Sequence, residues 1–137
     1  VFAGNTPAKK DGATGIQFFK GTFKEALAKA KKENKMVMMD CYTTWCGPCK
    51  KMSKEVFTDQ KVGDFFNKNM INAKIEMETD EGPIIASQYP VRAYPTLFFI
   101  DPNSGKILDQ AIGYQTAENL LKIAEKNFNA KSKKQAN

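Results

Sequence analysis

Apolar and polar positions along this chain follow two periods, and the changeovers between them mark the elements. Ile16-Gln17-Phe18-Phe19 reads as a short strand ended by Gly21. From Phe23 to about Glu33, Phe23, Leu27 and Ala30 recur at helical spacing with lysines on the other face. Thr22, followed three residues later by Glu25, forms a capping-box pattern for that helix. Met36 to Tyr42 is apolar on both parities except at Asp40. Strands covered on both faces read this way, which predicts a central strand of a mainly parallel sheet.

After Trp45 a helix is predicted through Met52 to Val56-Phe57, with Pro48 tolerated in a first turn whose N–H groups have no helical partner. Asp59 then caps a helix burying Val62, Phe65 and Phe66. Ile71 to Met77 alternates as a strand. An acidic segment follows, Glu76 to Glu81, and Gly82-Pro83 opens a short helix with Ile84, Ile85 and Ala86 inward. Tyr89 to Ala93 is a loop and Thr96 to Ile100 a strand. The turn chemistry of Asp101-Pro102-Asn103-Ser104-Gly105 makes Lys106 to Ile112 its antiparallel partner. Thr116 caps a last helix burying Leu120, Leu121, Ala124 and Phe128. The expected organisation is one α/β domain over residues 16–128, with a mixed sheet of about five strands flanked by helices. Residues 1–15 are polar and small and read as a flexible tether, and residues 129–137 as a basic tail that frays.

Composition narrows the chemistry. A chain of 137 residues buries a core without covalent staples. The net charge of +6 comes from lysine, since Arg92 is the only arginine. Readers of phosphates and bases lean on arginine's planar fork, and these lysines are scattered, so they read as solvated faces and not as a nucleic-acid interface. No apolar run approaches the roughly 18 residues of a membrane span. With no histidine, no His general base, Cys-His dyad or Cys₂His₂ zinc site can be built. Three cysteines make neither a Cys₄ site nor a paired disulfide framework.

The chemistry concentrates in Trp45-Cys46-Gly47-Pro48-Cys49, a C-x-x-C at the start of a helix fed by a buried strand. Such a placement is a thiol–disulfide exchange site. The third thiol, Cys41, lies in the strand on the parity opposite Asp40 and reads as a small buried hydrophobe. Met36, Met38 and Met39 read as packing.

Together these residues resemble the thioredoxin family. Trp45-Cys46-Gly47-Pro48-Cys49-Lys50 is similar to its active site, and Tyr94-Pro95-Thr96 to its cis-proline turn. Asp40, six residues before Cys46, resembles the family's buried aspartate. Lys74 resembles the lysine facing that aspartate, and Gly113 the glycine of the substrate groove. The run from Cys49 to Val62 is similar to exported, envelope-facing thioredoxin-like proteins. It is also similar to the C-terminal redox domain of the bacterial transmembrane thiol:disulfide interchange protein. Two departures stand out: the helix-kinking proline after the motif is missing, and about two extra residues separate Lys74 from Pro95.

The resemblance implies a thioredoxin-like three-layer α/β/α sandwich and a protein disulfide reductase. Cys46 is the implied nucleophile, and Cys49 the deeper, less exposed thiol that resolves the mixed disulfide and closes the Cys46–Cys49 bond. Asp40 would take the proton of Cys49, with its pKa raised by burial and opposed by Lys74. Gly47-Pro48 goes with reducing members of the family. Trp45, Tyr94, Pro95 and Gly113 would hold an extended substrate. No cofactor and no metal are implied. The expected partners are disulfide-containing proteins and an upstream thiol reductant, with the protein a monomer. A chain that starts at Val1 with a tether fits a processed precursor in the periplasm or cell envelope; a cytoplasmic location is the alternative. Three other readings compete: a thioredoxin-fold binding module without turnover, an oxidase or isomerase direction of the same exchange, and a metal-binding protein.

Overall fold

The computed structural model describes residues 14–136, so most of the predicted tether lies outside the described residues. Four strands form one sheet in the order β2-β1-β3-β4. They are β1 (Met36–Tyr42), β2 (Met70–Glu76), β3 (Thr96–Ile100) and β4 (Ile107–Ile112). β1 pairs parallel with β2 and antiparallel with β3, and β3 pairs antiparallel with β4. Helices α1 (Phe23–Glu33) and α4 (Gly82–Gln88) cover one face. The other face carries α2 (Gly47–Glu55), α3 (Gln60–Asn69) and α5 (Ala117–Ala136). This is the three-layer α/β/α arrangement.

The period-two alternation of β1 sorts its side chains between two cores. Met36 and Met38 pack with Met52, Val62, Phe66 and Leu120. Val37, Met39 and Cys41 pack with Phe23, Ala26, Ile75 and Ile85 on the opposite side. The capping box of α1 is formed as predicted: Glu25 N–H donates to Thr22 Oγ1 and Thr22 N–H donates to Glu25 Oε1. Asp59 and Thr116 also act as caps, accepting from the N–H groups of Val62 and Asn119.

Five expectations are corrected. The sheet is not mainly parallel, since one of its three pairings is parallel and two are antiparallel. The segment Ile16–Phe19 is extended but is not a strand, so the sheet has four strands and not five. Its N–H groups go to different acceptors: Ile16 to Phe57 O, Gln17 to the Asn67 side chain, and Phe19 to Asn72 O on β2. One ladder bond does not make a strand pair. Thr14 and Gly15, assigned to the tether, are tied to the domain: exposed Thr14 donates to Thr58 O, and Gly15 is buried against Gly63. Ile84 is 66% exposed, because the short α4 turns Ile85 and Tyr89, four apart, to the core. Residues 129–136 of the expected basic tail are helical, because α5 continues to Ala136. Asn34, in the left-handed conformation that ends α1, accepts at its backbone O from Lys131 Nζ and at its Oδ1 from Gln135 Nε2. A polar sequence can be held by a tertiary acceptor that its own periodicity does not reveal.

Candidate active site

The helix start and the strand end meet at the thiols. Cys46 is the N-cap of α2, in an extended conformation, and Pro48 occupies the first turn where its missing N–H costs nothing. Cys46 and Cys49 form a disulfide with Cα atoms 5.3 Å apart. Cys46 Sγ also accepts a hydrogen bond from the Cys49 N–H at 3.1 Å. A helix N-terminus offers unpaired N–H groups and a positive dipole end, so this sulfur is placed to carry negative charge when the bond opens.

In the disulfide form both cysteines are buried, Cys46 at 4% and Cys49 at 5% exposure. Gly47 leaves the approach open, since even a Cβ there would touch nothing within 4 Å.

Asp40 lies on β1 and Lys74 opposite it on β2, in direct register. The carboxyl is 2% exposed, and its Oδ2 lies 3.4 Å from Lys74 Nζ. Oδ1 has no hydrogen-bond partner among the described residues. Burial raises its pKa from the ordinary 3.8 to about 6, against the opposing pull of Lys74. An open cleft beside these groups is lined by Tyr42, Thr43, Cys49, Lys50, Ser53 and Lys74. Cys49 and Lys74 therefore border one solvent-facing space.

The remaining predicted residues gather at the proline turn. The Tyr94–Pro95 peptide is cis. Gly113 has φ +82°, a conformation that disfavours a side chain, and its N–H donates to Pro95 O at 2.8 Å. That bond ties Gly113 to the proline turn. Trp45, 64% exposed, stands edge-on to Tyr94 with ring centroids 5.9 Å apart. Its indole N–H donates to Glu78 Oε1 at 2.9 Å. Glu78 carries no mark in the sequence beyond its membership of the acidic segment. Ser53, which accepts from Lys74 Nζ at 2.7 Å, carries no sequence signal beyond its position on the motif's helix. Cys41 is fully buried in the opposite core, where burial and then the charge of Asp40 strongly raise its pKa.

Among the described residues no cluster of three or more acidic or thiol side chains is arranged to hold a metal, and no helix is long and apolar enough to cross a membrane.

Comparison with known proteins agrees with this geometry. A model of the thioredoxin-like domain family matches residues 23–128. A thioredoxin of Staphylococcus epidermidis is 32% identical over 99 residues, covering 72% of this chain and 88% of the relative. A solution structure assigned as a disulphide-isomerase of Bacteroides thetaiotaomicron is 47% identical, with a TM-score of 0.70 over 80% of this chain and 90% of that one. The oxidised C-terminal domain of DsbD from Neisseria meningitidis shares the fold, with a TM-score of 0.65 at 22% identity over 82% and 98% of the two chains. A helix-capping disulfide, a buried carboxyl behind it and a proline turn beside it thus come with matching sequence over most of the chain: the protein belongs to the thioredoxin-like family and is a thiol–disulfide oxidoreductase.

Proposed function

We propose that the exchange runs chiefly as reduction of disulfides in proteins. The observation that carries this reading is the plainness of the thiolate's surroundings. The linking pair Gly47-Pro48 bears no charge, the chain has no histidine, and Cys46 Sγ is met by the Cys49 N–H. Strong oxidants arise where the reduced form is heavily stabilised, and beyond the helix N-terminus neither a charged nor an imidazole group in the linking pair adds to that here.

In the proposed cycle the Cys46 thiolate attacks a substrate disulfide, forming a mixed disulfide and releasing one substrate thiolate. Cys49 then passes its proton to Asp40 and attacks Cys46 Sγ, expelling the second substrate thiolate. Two electrons leave the dithiol, and a separate thiol reductant must return them. Trp45, Tyr94, Pro95 and Gly113 would hold an extended substrate segment beside Cys46. The similarity to a disulphide-isomerase of Bacteroides thetaiotaomicron keeps isomerisation as the second direction.

Equilibration of the Cys46–Cys49 pair with glutathione tests the direction. The expected potential is near the roughly −270 mV of thioredoxin, and one near the roughly −120 mV of strong oxidants would reverse the assignment. Reduction of insulin with dithiothreitol as donor tests the site. Cys46→Ser should abolish it, and retained activity would remove Cys46 as the nucleophile. Placement in the cell envelope belongs to the same proposal. Its support is the resemblance of residues 49–62 to envelope-facing relatives, and fractionation of cells expressing the native gene tests it.

A further inference from the structure

The ammonium of Lys74 has more neighbours than Asp40. Its Nζ donates to Ser53 Oγ at 2.7 Å, while Asp40 Oδ2 stands off at 3.4 Å. Three rings surround the same nitrogen, with centroids at 4.8 Å for Tyr42, 5.3 Å for Phe18 and 5.4 Å for Phe57. They come from three places: the segment before α1, the end of β1 and the turn after α2. Ring faces attract an ammonium and confine it. An unopposed charge-assisted N–H···O bond closes to about 2.7–2.9 Å. Here the short bond goes to the neutral hydroxyl, and the carboxylate meets the ammonium only as an ion pair at 3.4 Å. Ser53 lies one helical turn beyond Cys49, so one helix carries both the resolving thiol and this hydroxyl.

We propose that Ser53 is a positioning residue: with the ring box of Phe18, Tyr42 and Phe57, its hydroxyl holds the Lys74 ammonium back from Asp40 and keeps that carboxyl able to take a proton at neutral pH. The inference rests on the reading of Asp40 as proton acceptor for Cys49. Without the hydroxyl, Asp40 Oδ2 becomes the acceptor within reach. Closing the pair from 3.4 Å to about 2.8 Å, at an effective dielectric of about 20, weakens the proton affinity of Asp40 about fivefold.

The other groups around Asp40 do not supply this control. Cys41 and Tyr42, its strand neighbours, are kept protonated: burial and then Asp40 act on Cys41, and burial, Glu76 and then Asp40 on Tyr42. Leu97, its partner on β3, carries no charge. From α2, Cys49, Lys50 and Lys54 border the cleft, and Glu76 lies two residues beyond Lys74 on β2. Lys74 is the ion-paired partner, and its position decides.

The experiment is a carbon-13 NMR titration of the Asp40 carboxyl in the oxidised parent, Ser53→Ala, Ser53→Thr and Lys74→Met. Ser53→Ala should move the Asp40 midpoint to lower pH, about fivefold in proton affinity. Lys74→Met should move it to higher pH, and Ser53→Thr, which keeps a hydroxyl, should restore the parent's value. A Ser53→Ala midpoint that stays or rises overturns the proposal, as does Ser53→Thr titrating with the alanine variant. So does a Lys74→Met midpoint that fails to rise, a readout that holds even if the alanine variant does not fold. Failure of the underlying reading shows separately, as an Asp40→Asn variant that resolves mixed disulfides at the parent's rate.

Discussion

At Asp40 burial and Lys74 pull in opposite directions, and burial prevails, leaving a carboxyl with a pKa of about 6. The folded chain therefore binds this proton more tightly than the unfolded chain, whose ordinary value is 3.8. The resulting stabilisation is present in full below about pH 4 and is lost as pH rises through 6. Across that window the loss amounts to about 3 kcal/mol, a large part of a small domain's stability. Asp40→Asn has no such proton to lose. Urea unfolding of the oxidised protein should find this variant more stable than the parent at pH 8 and close to it at pH 4. A parent whose stability is flat or rises from pH 4 to pH 8 would show that the carboxyl is not held in this way. The same substitution should slow resolution of mixed disulfides, so stability and turnover are expected to part at this residue.

Among the elements, α3 and the segment that precedes α1 are fitted to each other at two glycines. A Cβ on Gly63 would run into the backbone of Gly15, which itself sits at φ +92°. Alanine favours a helix interior over glycine by about 1 kcal/mol. Gly63→Ala should nevertheless destabilise the protein, by about 1–3 kcal/mol, because the added atom has no room. Thermal unfolding checks the sign, and a stabilised variant would mean the two backbones can part freely. The segment moved by that clash carries Phe18, one of the rings around Lys74, so the damage should extend to the thiol helix.

Elements set by local chemistry are legible in the amino-acid sequence. Thr22 with Glu25, Asp59 and Thr116 mark helix starts by hydrogen bonds reaching three residues, and the turn at 101–105 does the same for the β3–β4 hairpin. The two cysteines are legible from their spacing at a helix start, and Asp40 and Lys74 through the resemblance to the family; strand register sets those two opposite each other. Ser53, Glu78 and the rings around Lys74 are not, since each meets its partner only after the layers have packed. Ile16–Phe19 misleads for a related reason: alternation shows which side chains turn inward but not where the backbone N–H groups go. The end of α5 misleads because its acceptor, Asn34, lies 97 residues away from Lys131.

In the whole molecule the sheet divides the thiols. Cys46 and Cys49 sit at the start of α2, in the layer of α2, α3 and α5, whereas Cys41 packs with α1 and α4. Burial keeps the Cys41 thiol protonated, and only a thiolate reacts quickly. Maleimide labelling of the reduced native protein should modify Cys46 rapidly and leave Cys41 untouched, with Cys41 reacting only after denaturation. Rapid native labelling of Cys41 would mean that the sheet opens on its α1 side.

Trp45 is the single tryptophan of the chain, and it stands next to the disulfide, edge-on to Tyr94 and tied to Glu78. The protein therefore carries a built-in optical reporter with no background from elsewhere in the fold. Indole emission comes from the working end alone, so opening the sulfur bridge and docking a partner over Tyr94 become visible without any attached dye.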